Sequence, residues 1–100
     1  MINEAVHHID EEIINSKRLQ PAGIPAGSQL ATNARVYEFP ELENVFVMES
    51  DFYGNPMPAG SCFLAFQGKR GLLGRRLSVE KLRNCSTAEI QTIVQNSNEG

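Results

Sequence analysis

The stretch NVFVMES, residues 44–50, decides the fold because its apolar side chains occupy successive positions. In an extended chain, Val45 and Val47 point to one side, and Phe46 and Met48 point to the other. A strand that is apolar on both sides needs cover on each, so it belongs in the interior of a sheet. We therefore predict a central strand here.

The residues on either side of this stretch predict neighbouring antiparallel strands. The segment DFYGNPMPAG, residues 51–60, places Gly, Asn and Pro between two apolar runs, which indicates a hairpin with a long connection. The run SCFLAFQ, residues 61–67, is the predicted returning strand. Val36 and Phe39 indicate an earlier strand, and short connections favour antiparallel neighbours.

A cluster of cations follows the returning strand, although the formal net charge of the chain is −3. The cations of this cluster are Lys69, Arg70, Arg75, Arg76, Lys81 and Arg83. Gly68 to Gly71 predicts a turn, and residues 72–84 are interpreted as a further strand. A short helix beginning near Ser78 is the alternative. We interpret the cluster as the solvated margin of a turn and an edge strand.

Helices are predicted at both ends of the chain. Residues 1–19 carry an apolar stripe at helical spacing, formed by Ile2, Val6, Ile9 and Ile13. The Pro- and Gly-rich connection 20–33 ends this helix and leads to the sheet region 34–84. Ser86 and Glu89 fit a capping box at the start of a C-terminal helix over residues 86–97.

Together these elements predict one α+β domain over residues 1–100. A chain of 100 residues holds a single modest core. The predicted architecture is a small antiparallel meander or an SH3-like partial barrel of roughly three to five strands. An N-terminal and a C-terminal helix flank this sheet.

No complete catalytic, metal or cofactor motif is present. The Gly68-Lys69 pair lacks the upstream glycine and the following Ser or Thr of a phosphate-binding loop. His7 and its neighbouring carboxylates are typical of an exposed helix, and Cys62 and Cys85 are expected to be reduced, buried thiols. We therefore expect a protein that is not an enzyme, with no catalytic residue, metal or cofactor.

Hydropathy and the N-terminal sequence predict a cytoplasmic protein without membrane contact. No apolar run approaches the roughly 18 residues that a membrane span requires. The first residues, MINEAVHHIDEE, are acidic, whereas a secretory signal begins with basic residues and continues with apolar ones.

The first functional hypothesis is a non-enzymatic protein-binding or accessory module that self-associates as a homo-oligomer, for example a homodimer, or binds another protein. Its contact residues would be Ile9 and Ile13 on the N-terminal helix, or Phe52, Tyr53 and Met57 at the hairpin tip. An amphipathic helix in so small a chain can pack against a second copy or against its own sheet.

The alternative hypothesis is nucleic-acid binding through the cations between Lys69 and Arg83. Several phosphates could be neutralised together by Lys69, Arg70, Arg75, Arg76, Lys81 and Arg83. No aromatic residue lies between Gly68 and Gly100 on which bases could stack, which makes this hypothesis the weaker one.

Overall fold

The computed structural model describes residues 9–23, 35–69 and 71–99. Its helices and strands are, in chain order, α1 (Glu11–Lys17), β1 (Gln20–Pro21), β2 (Val36–Glu38), β3 (Val45–Met48), β4 (Ser61–Gly68), β5 (Gly71–Ser78), α2 (Val79–Asn84) and α3 (Thr87–Glu99). The strands form one open sheet in the order β1-β2-β3-β4-β5, and every neighbouring pair is antiparallel. The predicted α+β meander is confirmed, and the SH3-like details stay a prediction.

The central strand β3 separates two apolar clusters. Val45 and Val47 belong to the larger cluster, which also contains residues of all three helices. Phe46 packs with Met48 in a smaller cluster, to which none of the described helical residues contributes. Within the part of the chain that the structure describes, helices cover one face of the sheet and not the other, and we call these the helix-covered face and the helix-free face. The predicted division of β3 between two sides is confirmed.

The helix-covered face holds most of the core. Its buried sheet residues are Tyr37, Val45, Val47, Cys62, Leu64, Phe66 and Leu77. The helices and their flanking residues add Ile9, Ile13, Leu82, Ile90 and Val94. On the helix-free face, the buried residues are Val36, Met48 and Ala65.

The first helix begins at a clear cap. The Asp10 carboxylate accepts a hydrogen bond from the Ile13 N–H at 3.0 Å, and Arg18 at φ 56° ends the helix. Residues 1–8, which the sequence assigns to the same helix, lie outside the described residues. Gln20–Pro21 falls in the predicted connection but forms β1 by pairing with β2.

Residues 72–84 combine the two structures that the sequence allowed. β5 continues to Ser78, and α2 then begins at Val79 because the Ser78 hydroxyl accepts a hydrogen bond from the Lys81 N–H at 3.0 Å. Val79 and Leu82 are buried on the helix-covered face. The sheet region that the sequence extended to residue 84 therefore ends at Ser78.

The C-terminal helix starts with the predicted capping box. The Ser86 N–H donates to Glu89 Oε1, and the Glu89 N–H donates to Ser86 Oγ, both at 3.2 Å. These reciprocal bonds satisfy amides that have no partner within the first turn. The helix extends over Thr87–Glu99 and buries Ile90 and Val94 against the sheet.

The two cysteines have different surroundings. Cys62 is fully buried on β4, and Cys85 is half-buried between α2 and α3. Burial, assisted by the negative charge of Glu49, raises the pKa of the Cys62 thiol to about 12. Cys62 therefore remains a protonated, inert thiol at neutral pH.

We expect a disulfide reagent such as dithionitrobenzoate to modify Cys85 in the folded protein and Cys62 after denaturation. The Cys85→Ser variant should show no rapid reaction before denaturant is added. Because the thiol pKa is about 8.5 in an unfolded chain, the folded state should lose stability as the pH rises from there toward about 12. Rapid modification of native Cys85→Ser would contradict the burial of Cys62.

Candidate protein-interaction surface

The apolar residues predicted to contact a partner divide between the core and the surface. Ile9 is 1% exposed, Ile13 is 0% exposed and Met57 is 8% exposed, so these side chains pack within the chain itself. Phe52 is half-buried, and Tyr53 is 83% exposed. Of the five predicted contact residues, only Phe52 and Tyr53 are therefore accessible to a partner.

A turn with internal hydrogen bonds presents Tyr53. Asp51 Oδ1 accepts from the N–H groups of Tyr53 and Asn55, both at 2.9 Å, and Asp51 Oδ2 accepts from Asn55 Nδ2 at 3.1 Å. Gly54 adopts φ 87°, a left-handed conformation that suits glycine at this turn. The backbone of Tyr53 is thus held while its side chain remains in solvent.

The charge of Asp51 maintains these bonds at neutral pH. Desolvation raises the pKa of Asp51, but the hydrogen bonds from Asn55, Tyr53 and Gly54 together outweigh it, and the pKa falls below the ordinary value of 3.8. The carboxylate is therefore ionised at neutral pH, and both of its oxygens accept hydrogen bonds.

Beside this turn, the helix-free face carries three half-buried phenylalanines. The rings of Phe52 and Phe63 meet edge to face, with centroids 4.8 Å apart and planes at 84°. Phe46 packs on the same cluster from β3. We call Phe46, Phe52 and Phe63 the aromatic patch.

Gly74 on β5 makes room for this patch. A Cβ atom built on Gly74 would collide with the ring of Phe63 and would lie 2.9 Å from Cε2 of Phe52. Since Gly74 pairs with Ala65 on β4, both neighbouring strands offer small residues under the rings. The patch therefore extends to the edge of the sheet.

The two arginines of β5 point to opposite faces. Arg75 pairs with Leu64 and lies on the helix-covered side, where its Nη1 donates to Ser97 Oγ at 3.0 Å. Arg76 pairs with Phe63 and lies on the helix-free side, next to the aromatic patch. Both side chains are exposed.

The remaining cations of the predicted nucleic-acid set are dispersed. Lys69 is exposed in the turn between β4 and β5, Lys81 is exposed on α2, and Arg70 lies outside the described residues. Arg83 forms ion pairs with Asp10 at 2.7 Å and with Glu12 at 3.3 Å, so its charge is already neutralised within the chain. Arg75 and Arg76, which point to opposite faces, therefore cannot act on the same face of the sheet, and Arg83 is paired with carboxylates.

Comparison with protein-family models, curated proteins and solved structures finds no match to this chain. Within residues 9–23, 35–69 and 71–99, no group of three or more His, Cys, Asp or Glu side chains is placed to hold a metal ion. None of the helices in the same ranges has the length and apolar content needed to cross a bilayer. The geometry of the helix-free face is thus the basis for assigning a function.

Proposed function

We propose that this chain is a non-enzymatic protein-binding module that contacts its partner through Tyr53 and the aromatic patch. The observation that carries the proposal is that the Tyr53 side chain is 83% exposed while the backbone of its turn is fixed. The Asp51 carboxylate fixes that backbone by accepting hydrogen bonds from the N–H groups of Tyr53 and Asn55. Tyrosine often supplies a large share of interface energy, and a pre-ordered backbone loses little entropy on binding.

The charge beside the patch favours an acidic partner. Arg76 lies across from Phe63 at the margin of the aromatic patch. A partner that presents an apolar side chain next to carboxylates would complement both features. We therefore take the partner to be another protein with an acidic, apolar contact segment.

Self-association through the first helix receives less support. The apolar side chains that would make such a contact, Ile9 and Ile13, are 1% and 0% exposed in the core of their own chain. A partner could reach them only after α1 leaves the sheet. The proposal therefore concerns binding to a different protein.

Nucleic-acid binding remains the second hypothesis, with fewer supporting contacts. Arg75 and Arg76 point to opposite faces, and Arg83 is paired with carboxylates. A strand of nucleic acid following one face would therefore meet few of the described cations at once.

We expect Tyr53→Ala to weaken partner binding by about tenfold, the effect of removing one aromatic anchor. Partner protein would be captured from an extract of the source cells, purified, and measured against each variant by calorimetry. The fold should persist because the turn is held through the side chains of Asp51 and Asn55. The matched control is Gln95→Ala, which truncates an exposed side chain on α3.

The extract would be treated with nuclease before capture. Binding that survives the nuclease and weakens in Tyr53→Ala supports the proposal. Equal affinities of Tyr53→Ala and the unchanged protein would contradict it. Association that disappears with nuclease would also contradict it and would favour the nucleic-acid hypothesis.

A further inference from the structure

Among the strands of residues 9–23, 35–69 and 71–99, β5 forms a long edge of the sheet. It has eight residues, Gly71–Ser78, contains no proline, and pairs with β4 on one side. The opposite edge is β1, which has two residues, one of them Pro21. Proline and short length protect an edge from further pairing, whereas a long strand without proline offers its N–H and C=O groups to another strand.

The register shows which groups of β5 face outwards. Gln67 on β4 donates its N–H to Asn44 O at 3.3 Å, so the odd-numbered residues of β4 bond toward β3 and the even-numbered ones toward β5. The even-numbered residues of β4 pair with odd-numbered residues of β5. The N–H and C=O groups of Leu72, Gly74 and Arg76 therefore point away from the sheet.

The positive charge at this edge disfavours pairing of β5 with β5 of a second copy of the chain. Arg75 and Arg76 occupy the middle of β5, one on each face, and both are exposed. If β5 paired with β5 of another copy, the arginines of the two chains would lie close together, and like charges on neighbouring strands repel. An acidic strand would instead place carboxylates beside both arginines.

Gly74, which directly precedes the two arginines, adds a site for an apolar contact beside the charges. It has no side chain, and the rings of Phe63 and Phe52 lie over it on the helix-free face. An apolar side chain from an added strand, placed beside Gly74, would contact these rings. The edge thus offers backbone hydrogen bonds, cations on both faces and an aromatic contact.

We propose that an extended, acidic segment of a protein partner adds to β5 as a further strand. Carboxylates of that segment lie beside Arg75 and Arg76, and an apolar side chain lies over Gly74 against the aromatic patch. This inference rests on the proposed function and specifies the chemistry and binding mode of the partner.

The first test uses an extended synthetic peptide, capped at both ends, that contains Glu-Glu-Val. Adjacent residues of a strand point to opposite faces, so the two glutamates can lie beside Arg76 and Arg75 and the valine beside Gly74. Titration into ¹⁵N-labelled protein should give saturable shifts of the Leu72, Gly74 and Arg76 amides, and their hydrogen exchange should slow. N-methylation of the peptide amides that face β5 should abolish binding, whereas methylation of the alternate set should preserve it. The proposal would be overturned if methylation of either set of amides weakened binding equally. It would also be overturned if the largest amide shifts lay away from β5.

The second test reverses charge. Arg75→Glu should weaken binding of the glutamate peptide by about fivefold and strengthen binding of a peptide in which lysine replaces glutamate. Lys81→Glu makes the same charge change on α2 and should alter either affinity by less than about twofold. Equal effects of the two variants would show a general charge effect and would overturn strand addition.

The Tyr53→Ala experiment separates this inference from the proposed function. One outcome is that Tyr53→Ala weakens binding of the natural partner, while neither the peptide nor the partner shifts the amide signals of β5. The proposed function then holds and strand addition fails. If the β5 amides respond and Tyr53→Ala has no effect on the natural partner, strand addition holds without the Tyr53 contact.

Discussion

Leu64→Ala should lower the free energy of unfolding by about 3 kcal/mol, within the range for truncating a fully buried leucine. Leu64 is 0% exposed at the centre of β4, with Val47 and Arg75 as its cross-strand neighbours. Its side chain faces the helices within the larger cluster. The cavity left by the truncation is enclosed on both sides, so neighbouring groups can fill it only in part.

The matched control for this prediction is Leu73→Ala. Leu73 is on β5 and points to the same face of the sheet as Leu64, but it is 41% exposed. Its truncation should lower the free energy of unfolding by less than about 1.5 kcal/mol. The chain has no tryptophan, so urea unfolding would be followed by far-ultraviolet circular dichroism. Equal costs for the two truncations would mean that the larger cluster is not the main source of stability.

Gly74→Val should lower the free energy of unfolding by about 2 kcal/mol, as overpacking typically does. The sign is informative because a β-branched residue in a strand ordinarily stabilises it relative to glycine, by up to about 1 kcal/mol. Here the new Cβ would collide with the Phe63 ring and crowd Phe52 at 2.9 Å. The rings would have to move away from the sheet.

Phe63→Ala provides the test of this mechanism. In the Phe63→Ala background, Gly74→Val should cost much less than in the original chain, since the obstructing ring is gone. A double-mutant cycle of urea unfolding measures the difference as a coupling free energy. Costs that simply add would contradict a direct contact between Gly74 and Phe63.

The sequence predicted those elements whose causes are local. The alternation around Val45 and Phe46 requires a strand covered on both sides, and the Ser86–Glu89 capping box satisfies amides within one helical turn. These signals depend on a few neighbouring residues and hardly on the rest of the fold. The helix that begins after Ser78 was only the alternative interpretation, because the spacing of Val79 and Leu82 by three is too short a pattern to exclude a strand.

What the sequence could not predict depends on contacts between distant segments. Apolar spacing marked Ile9 and Ile13 as a stripe without revealing that the stripe packs on its own sheet. The pairing of Gly68 with Gly71 sets the β4–β5 register. A register deduced from the Gly68 and Gly71 turn signal could have placed Phe63 near Gly74. No local pattern shows that Phe52 reaches the same place from a loop.

The attachment of α1 has a consequence for the order of folding. Arg83 joins Asp10 across 73 residues of sequence, and Lys17 Nζ donates to Arg83 O at 3.1 Å across 66. Closing so long a loop is slow compared with closing the β4–β5 hairpin. We expect α1 to dock last during folding and to detach first under mild denaturant, while the aromatic patch on the opposite face of the sheet stays assembled.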